Sequence, residues 1–198
     1  ASPNNPSGRM TDAAALDRLL DRAPGVVILD EAYVEYAGPT RAREAVQRGN
    51  VLVTRTFSKA WGLAGLRLGY GVGAPEVVTE VEKARGPFKV NAVAEVAAAA
   101  AVRQDQVWLD SIVAATRTAR AAVTARLRAL AFTVFESDAN FIAVRVADAK
   151  AAAAVLAEHG VGVRGFSAAP VMGDVLRVTI GPEAMMTPFL DAMTGASP

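Results

Sequence analysis

Apolar and polar positions divide the 198-residue chain into short elements. Val26-Val27-Ile28-Leu29 and Val51-Leu52-Val53 are continuous apolar runs, the pattern of buried strands in a parallel α/β sheet rather than of strands with one wet face. Residues 40–48 between them have room for a short helix, so strand, helix and strand in succession predict a βαβ unit. Ahead of the first run, residues 11–23 set Leu16, Leu19 and Leu20 on one stripe behind a cap at Thr11 or Asp12, and Pro24-Gly25 stops the helix. Another helix opens at Pro75 and runs to about residue 85, with Val77, Val78 and Val81 on its apolar side. Gly86-Pro87-Phe88 interrupts it, and residues 92–104 form an alanine-rich helix whose alanines all read as core.

Over residues 105–130, Trp108, Ile112, Ala115, Ala119, Val123, Leu127 and Leu130 recur at three- and four-residue steps. This predicts one long helix bridging two packed units, with Arg117, Arg120, Arg126 and Arg128 on its solvated face. Strands follow at 132–135 and 141–146, then a helix at 149–158 closed by His159-Gly160, strands at 161–163 and 175–180, and a helix at 183–193. The predicted organisation is a larger unit over 1–104, the helix over 105–130 and a small α/β unit over 131–198.

Composition narrows the chemistry. With 52% hydrophobic and 21% charged residues the chain can bury a core, and 21 basic against 20 acidic side chains, with no basic block, give no nucleic-acid footprint. No run of eighteen apolar residues is present, so no membrane partner is expected. The lack of cysteine removes disulfides and thiolate chemistry and fits a reducing compartment such as the cytoplasm. His159 is the sole histidine, which excludes a histidine-rich metal centre and suits a local cap or surface role. Met172, Met185, Met186 and Met193 read as flexible core filling.

The chemical focus is the stretch 51–73, where Lys59 stands between an apolar run and glycines 62, 65, 69, 71 and 73. Partial desolvation in that setting would make its amine a usable nucleophile toward an aldehyde. Arg67 is a second fixed cation in the stretch. Asp30 lies at the carboxyl end of the first apolar run, where ligands meet open α/β sheets, with Tyr33 three residues on. It can cap a turn, pair with a cationic ring nitrogen or bind a metal, although only Glu31 and Glu35 add oxygen ligands nearby. Arg164 and Arg177 lie at or within short apolar strands and need partners, either in structural salt bridges or in a substrate carboxylate. The turn-rich residues 1–8 read either as a flexible terminus or as a loop belonging to a site.

Residues 54–70, TRTFSKAWGLAGLRLGY, resemble the lysine region of fold-type I pyridoxal-phosphate aminotransferases (class I/II), and within them the histidinol-phosphate aminotransferase branch. VVILDEAY at 26–33 is similar to that family's strand-and-aspartate motif, SPNNPSG at 2–8 to its N-P-x-G cofactor loop, and VLRVTIG at 175–181 to its carboxylate-binding arginine strand. The resemblance implies an α/β, aspartate-aminotransferase-like fold: part of a large domain with a mixed, mostly parallel sheet, plus the small C-terminal domain. It implies pyridoxal 5'-phosphate as cofactor, with Lys59 as Schiff-base lysine and proton carrier and Asp30 on the pyridine nitrogen. Asn5 and Tyr33 would hold the phenolic oxygen, and Thr56, Ser58 and Arg67 the phosphate. Arg177 would bind the substrate carboxylate, with Asn91 and Arg164 as further substrate-binding residues and Lys59, Asp30 and Tyr33 as the catalytic set.

The implied reaction is amino transfer between histidinol phosphate and 2-oxoglutarate in histidine biosynthesis, by an enzyme that in this family is usually a homodimer. An aromatic-amino-acid aminotransferase or a threonine-phosphate decarboxylase would use nearly the same residues, and a catalytically empty fragment with an interaction role is the non-enzymatic alternative. Family members carry a phosphate-cradling turn and a ring-stacking aromatic upstream of the first motif. The chain is therefore expected to be the later part of such an enzyme and to bind cofactor poorly without the other half.

Overall fold

The computed structural model describes residues 1–194, so the last four positions of the predicted 131–198 unit lie outside the described residues. The chain divides into two units, one formed by residues 1–3 and 10–112 and the other by residues 4–9 and those from 113 onward.

In the first unit, helix α1 (Ala13–Arg22) starts where Asp12 Oδ1 accepts the Ala15 N–H at 2.9 Å, which settles the cap on Asp12. It buries Leu16 and Leu20 against Leu29, Ala45, Val51 and Val53. Strand β1 (Val27–Asp30), the four-residue helices α2 (Val34–Ala37) and α3 (Ala42–Ala45), and strand β2 (Val51–Thr56) form the βαβ unit, with β1 and β2 parallel and Asp30 opposite Thr54. The first apolar run is not buried on both faces as expected. Leu29 packs inward while Ile28 remains 65% exposed, because β1 is an edge strand and α1 covers only one face.

β2 runs three residues past its apolar stretch because part of the presumed glycine-rich turn is a strand, β3 (Gly69–Val72), paired antiparallel with it. The sequence reading misses β3 because glycine lacks strand propensity. Here glycine is demanded by close approach: a Cβ on Gly69 would stand 2.7 Å from the Arg55 carbonyl oxygen, and one on Gly73 2.9 Å from that of Val51. Helix α4 (Pro75–Ala84) begins with its proline in the first turn, and α5 (Ala92–Gln104) is capped by Asn91, whose Oδ1 accepts the Ala94 N–H at 2.8 Å. Only Ala94, Ala98 and Ala101 of α5 are buried, a one-sided stripe rather than an all-round core helix.

The long helix α6 (Gln106–Ala129) agrees with the predicted 105–130 element. Its apolar stripe is not uniformly buried: Val123 and Leu127 are in the core, whereas Trp108 and Ala115 are exposed. Two of its arginines do more than face solvent. Arg120 is half-buried and donates to the Ala139 carbonyl, and Arg128 donates to the Val134 carbonyl at 3.1 Å and pairs with Glu136.

The second unit holds β4 (Val134–Phe135), β5 (Phe141–Arg145), helix α7 (Ala149–Glu158), β6 (Arg164–Ala169), β7 (Gly173–Thr179) and helix α8 (Glu183–Thr194). The strands form one antiparallel sheet in the order β4-β5-β7-β6. β5 is buried continuously from Phe141 to Val144, because both its faces are covered. Ile142 and Val144 join Leu127, Leu176, Val178 and Phe189, while Ala143 on the other face meets Val175 and Met172. Residues 161–163 are not a strand. The strand is β6, an edge element of small and polar residues whose order comes from pairing Phe166 with Val175 on β7. His159 sits at the end of α7 with Nδ1 2.9 Å from the Val155 carbonyl, a local cap, and Gly160 takes φ +75° after it. Met172, Met186 and Met193 fill core, but Met185 is exposed.

Leu127 is fully enclosed in the core, so Leu127→Ala is expected to lower the unfolding free energy by about 2–5 kcal/mol in a denaturant titration. Asp174 accepts the Ala149 N–H (2.9 Å) and the Ala168 N–H (2.9 Å), and these bonds hold its carboxyl below the ordinary value of 3.8. A depressed folded-state pKa stabilises fully above the unfolded carboxylate range, and that stabilisation is lost as pH falls through the lower folded value. Urea midpoints should therefore place Asp174→Asn below the wild type near neutrality, with the gap closing as the acid limb is descended.

Candidate active site

In the first unit the candidate residues gather around the loop that leaves β2. The Thr56 hydroxyl accepts the Ser58 N–H at 3.0 Å, Gly62 N–H reaches the Lys59 carbonyl at 3.0 Å, and Leu63 N–H returns to the Phe57 carbonyl at 2.9 Å. Gly62 takes φ +69°, which lets the chain close this tight turn. Phe57 braces it from inside, with ring centroids 5.8 Å from Trp61 and 5.5 Å from Tyr70. Lys59 Nζ stands 5.5 Å from the centroid of the buried Tyr33 ring, within cation–π range. The lysine itself is exposed, contrary to the partial desolvation expected of it: its turn projects beyond the strand end.

Tyr33 is delivered by the other strand. After β1, Asp30 Oδ1 accepts the Ala32 N–H at 3.0 Å, an Asx turn that brings Tyr33 to the start of α2. Both the turn-cap role and a free carboxylate oxygen are thus present in Asp30, which lies exposed at the carboxyl end of its strand. No group of three or more His, Cys, Asp or Glu placed to hold a metal occurs among the described residues. Arg67 adopts a left-handed φ of 54° and donates to the Ala64 carbonyl at 3.0 Å, with its guanidinium otherwise exposed. Among the described residues, neither Lys59 nor Arg67 has an ion-pair partner, and Ser58 Oγ makes no hydrogen bond. Asn91, besides capping α5, donates from Nδ2 to the Leu66 carbonyl at 3.3 Å, so its amide fastens α5 to the loop carrying Arg67.

The second unit carries Asn5, Arg164 and Arg177. The 4–9 loop is ordered: Gly8 N–H reaches the Asn4 carbonyl at 2.8 Å, Asp138 N–H reaches the Gly8 carbonyl at 2.7 Å, and a Cβ on Gly8 would strike the Ser137 side chain. In the first unit Ser2 is equally fixed, its N–H on the Asp30 carbonyl at 2.8 Å. The flexible-terminus reading of residues 1–8 is therefore replaced by a loop reading. Arg177 donates from Nη1 to Asn5 Oδ1 at 2.9 Å, and its guanidinium lies 5.4 Å from the Phe141 ring and 5.9 Å from the Phe166 ring. Its Nε is buried without a hydrogen bond. Arg164 is the cross-strand neighbour of Arg177, exposed and 5.8 Å from the Phe166 ring. No carboxylate pairs with either arginine among the described residues, so the structural salt bridge is not the partner they find. Two neighbouring cations between aromatic faces and a neutral amide are suited to receiving an anion.

Sequence reasoning missed the aromatic faces of Phe141 and Phe166 and the ion pair between Glu35 and Arg55, 2.7 Å apart. A signal for the pair existed: Arg55 follows an apolar strand run, as Arg177 lies within one, and the rule that such a charge needs a partner applies equally.

The sequence profile described as aminotransferase class I and II matches residues 1–193. The chain is 42% identical over 187 residues to an aromatic amino acid aminotransferase of Thermobifida fusca, covering 91% of this chain and 50% of that one. It is 40% identical over 210 residues to histidinol-phosphate aminotransferase 1 of Cupriavidus pinatubonensis, covering 99% and 54%. Among solved structures, histidinol-phosphate aminotransferase from Sinorhizobium meliloti, in complex with pyridoxal-5'-phosphate, superposes with a TM-score of 0.83 at 28% identity, covering 98% of this chain and 54% of that one. The chain thus spans about half the length of the curated relatives it matches. Over that span it has the α/β architecture of fold-type I pyridoxal-phosphate-dependent aminotransferases, and it belongs to the aminotransferase class I and II family.

Proposed function

We propose that the chain carries the lysine-bearing part of a pyridoxal-phosphate-dependent aminotransferase that exchanges an amino group between histidinol phosphate and 2-oxoglutarate. The observation that supports this most is the Lys59 amine, without an ion-pair partner and 5.5 Å from the Tyr33 ring, on a turn that also presents the Ser58 hydroxyl and precedes the Arg67 guanidinium. Such a donor set fits the cofactor. An amine for its aldehyde, a carboxylate at Asp30 for its ring nitrogen, and a cation with hydroxyls for its phosphate are present and not consumed by one another.

Bound pyridoxal phosphate supplies an electron sink for the electron pair left when the substrate's α-proton departs. Lys59 would hold the cofactor through its amine and would act as the general acid and base that moves that proton. Asp30 would pair with the protonated ring nitrogen, and the Tyr33 hydroxyl is assigned the phenolic oxygen. Thr56, Ser58 and Arg67 hold the phosphate. The Thr56 hydroxyl also donates to the Leu68 carbonyl at 3.4 Å. In the second unit Asn5 is assigned the phenolic oxygen and Arg177 the substrate carboxylate, with Arg164 adding positive charge beside it. Asn91 serves substrate binding indirectly, by fixing the Arg67 loop. The working enzyme is proposed to be a cytoplasmic homodimer using a small-molecule amino donor and a 2-oxo acid.

An aromatic amino acid as donor is the second reading, favoured by the 42% identity to the Thermobifida enzyme of that name. A decarboxylase acting on threonine phosphate would instead release carbon dioxide without an oxo-acid acceptor.

Because the chain is expected to bind pyridoxal phosphate poorly, titration to concentrations high enough to load a weak site is expected to give an absorbance band that Lys59→Ala removes. Identical spectra for the two proteins would refute the assignment of Lys59. With the band in hand, faster loss of 2-oxoglutarate with histidinol phosphate than with phenylalanine or tyrosine supports the leading reading, and the reverse order supports the second.

A further inference from the structure

One ion pair in the first unit is unlike the others. Arg55 Nη2 and Glu35 Oε1 are 2.7 Å apart with side chains only 18% and 7% exposed, whereas in every other ion pair among the described residues both side chains are at least 27% exposed. Burial raises the Glu35 pKa above its ordinary 4.5, and the attraction of Arg55 only partly offsets this. Arg55 Nε is buried without a hydrogen bond. A pair retained against such desolvation is poor at adding stability and better suited to fixing one arrangement.

Its location says which arrangement. Glu35 is on α2, two residues after Tyr33, and Arg55 is on β2, four residues before Lys59. α2 has only four residues and no side-chain cap of its own. On the far side, Arg55 is opposite Tyr70 on β3, its guanidinium 5.8 Å from that ring, and Tyr70 in turn packs on Phe57 at the base of the Lys59 turn. The charged and titratable groups facing Glu35 are Arg55 from β2, Glu31 from the turn after β1, and Tyr70 from β3.

We propose that the Glu35–Arg55 pair is a positioning device that locks α2, and with it the Tyr33 ring, against the end of β2, and so sets where the Lys59 amine stands. The functional meaning of that position rests on the assignment of Lys59 as the cofactor-binding amine. The pair acts through Tyr33 and the Lys59 turn.

The test labels lysines of the cofactor-free protein with acetic anhydride and reads modification of Lys59 relative to exposed Lys150 by peptide mass spectrometry. Glu35→Gln is expected to change this ratio by at least about threefold, and the change should vanish in a Tyr33→Leu background, because residues acting through one contact are non-additive. Arg55→Lys, which keeps the charge and loses the guanidinium fork, should shift the ratio in the same sense but less. A lowered melting temperature with an unchanged ratio, or an equal change in both backgrounds, overturns the proposal. Should Glu35→Gln fail to fold, Arg55→Lys is read by the same criterion. Since labelling needs no cofactor, failure of the pyridoxal-phosphate assignment appears separately, as loss of the Lys59-dependent absorbance band.

Discussion

Parallel pairing of β1 with β2 is the constraint on which the rest of the first unit depends. Parallel strands end on the same side of a sheet, so register alone brings Asp30 beside Thr54 and sends both chains out into loops at one edge. The loop after β1 turns on the Asp30 carboxylate and yields Tyr33, while the loop after β2 turns on the Thr56 hydroxyl and yields Lys59. The lysine–tyrosine approach at 5.5 Å follows from two adjacent strand ends, each with its own local turn. β3 closes the arrangement from the other side of β2, at a separation that glycine at positions 69 and 73 makes possible.

Charge is handled differently in the two units. In the first, the Arg41, Arg48 and Arg55 guanidinium groups are answered by carboxylates, whereas Lys59 and Arg67 are among the cations that are not. In the second, Arg177 is held by an amide and two aromatic faces that leave its charge unneutralised, and Arg164 lies across the ladder from it. Holding a guanidinium without neutralising it fixes its direction while preserving its attraction for an anion. Under the proposed function these charges are read as contacts for a phosphorylated aldehyde cofactor and an amino-acid carboxylate.

Legibility in the sequence tracked the range of the physics involved. Elements set by local rules were readable: a cap at Thr11 or Asp12, the proline opening α4, Gly160 after α7, and the period of α6. Elements made by partners were not. β3 and β6 lack strand composition and exist through pairing with β2 and β7. Exposure was also misjudged where it depends on what covers a face, as for Ile28 on the edge strand, four of the seven α5 alanines, and Lys59 itself. The candidate residues were legible as motifs, but the Arg177 environment and the Glu35–Arg55 pair join residues distant in sequence, and no local pattern announces them.

The central claim is that Lys59, among the four lysines of the chain, is the amine that takes the cofactor aldehyde. Borohydride reduction after incubation with substoichiometric pyridoxal phosphate, followed by peptide mapping, measures this directly. The predicted result is a phosphopyridoxyl group on the peptide containing Lys59 and little elsewhere; label distributed over Lys83, Lys89 and Lys150 as readily as over Lys59 would contradict it.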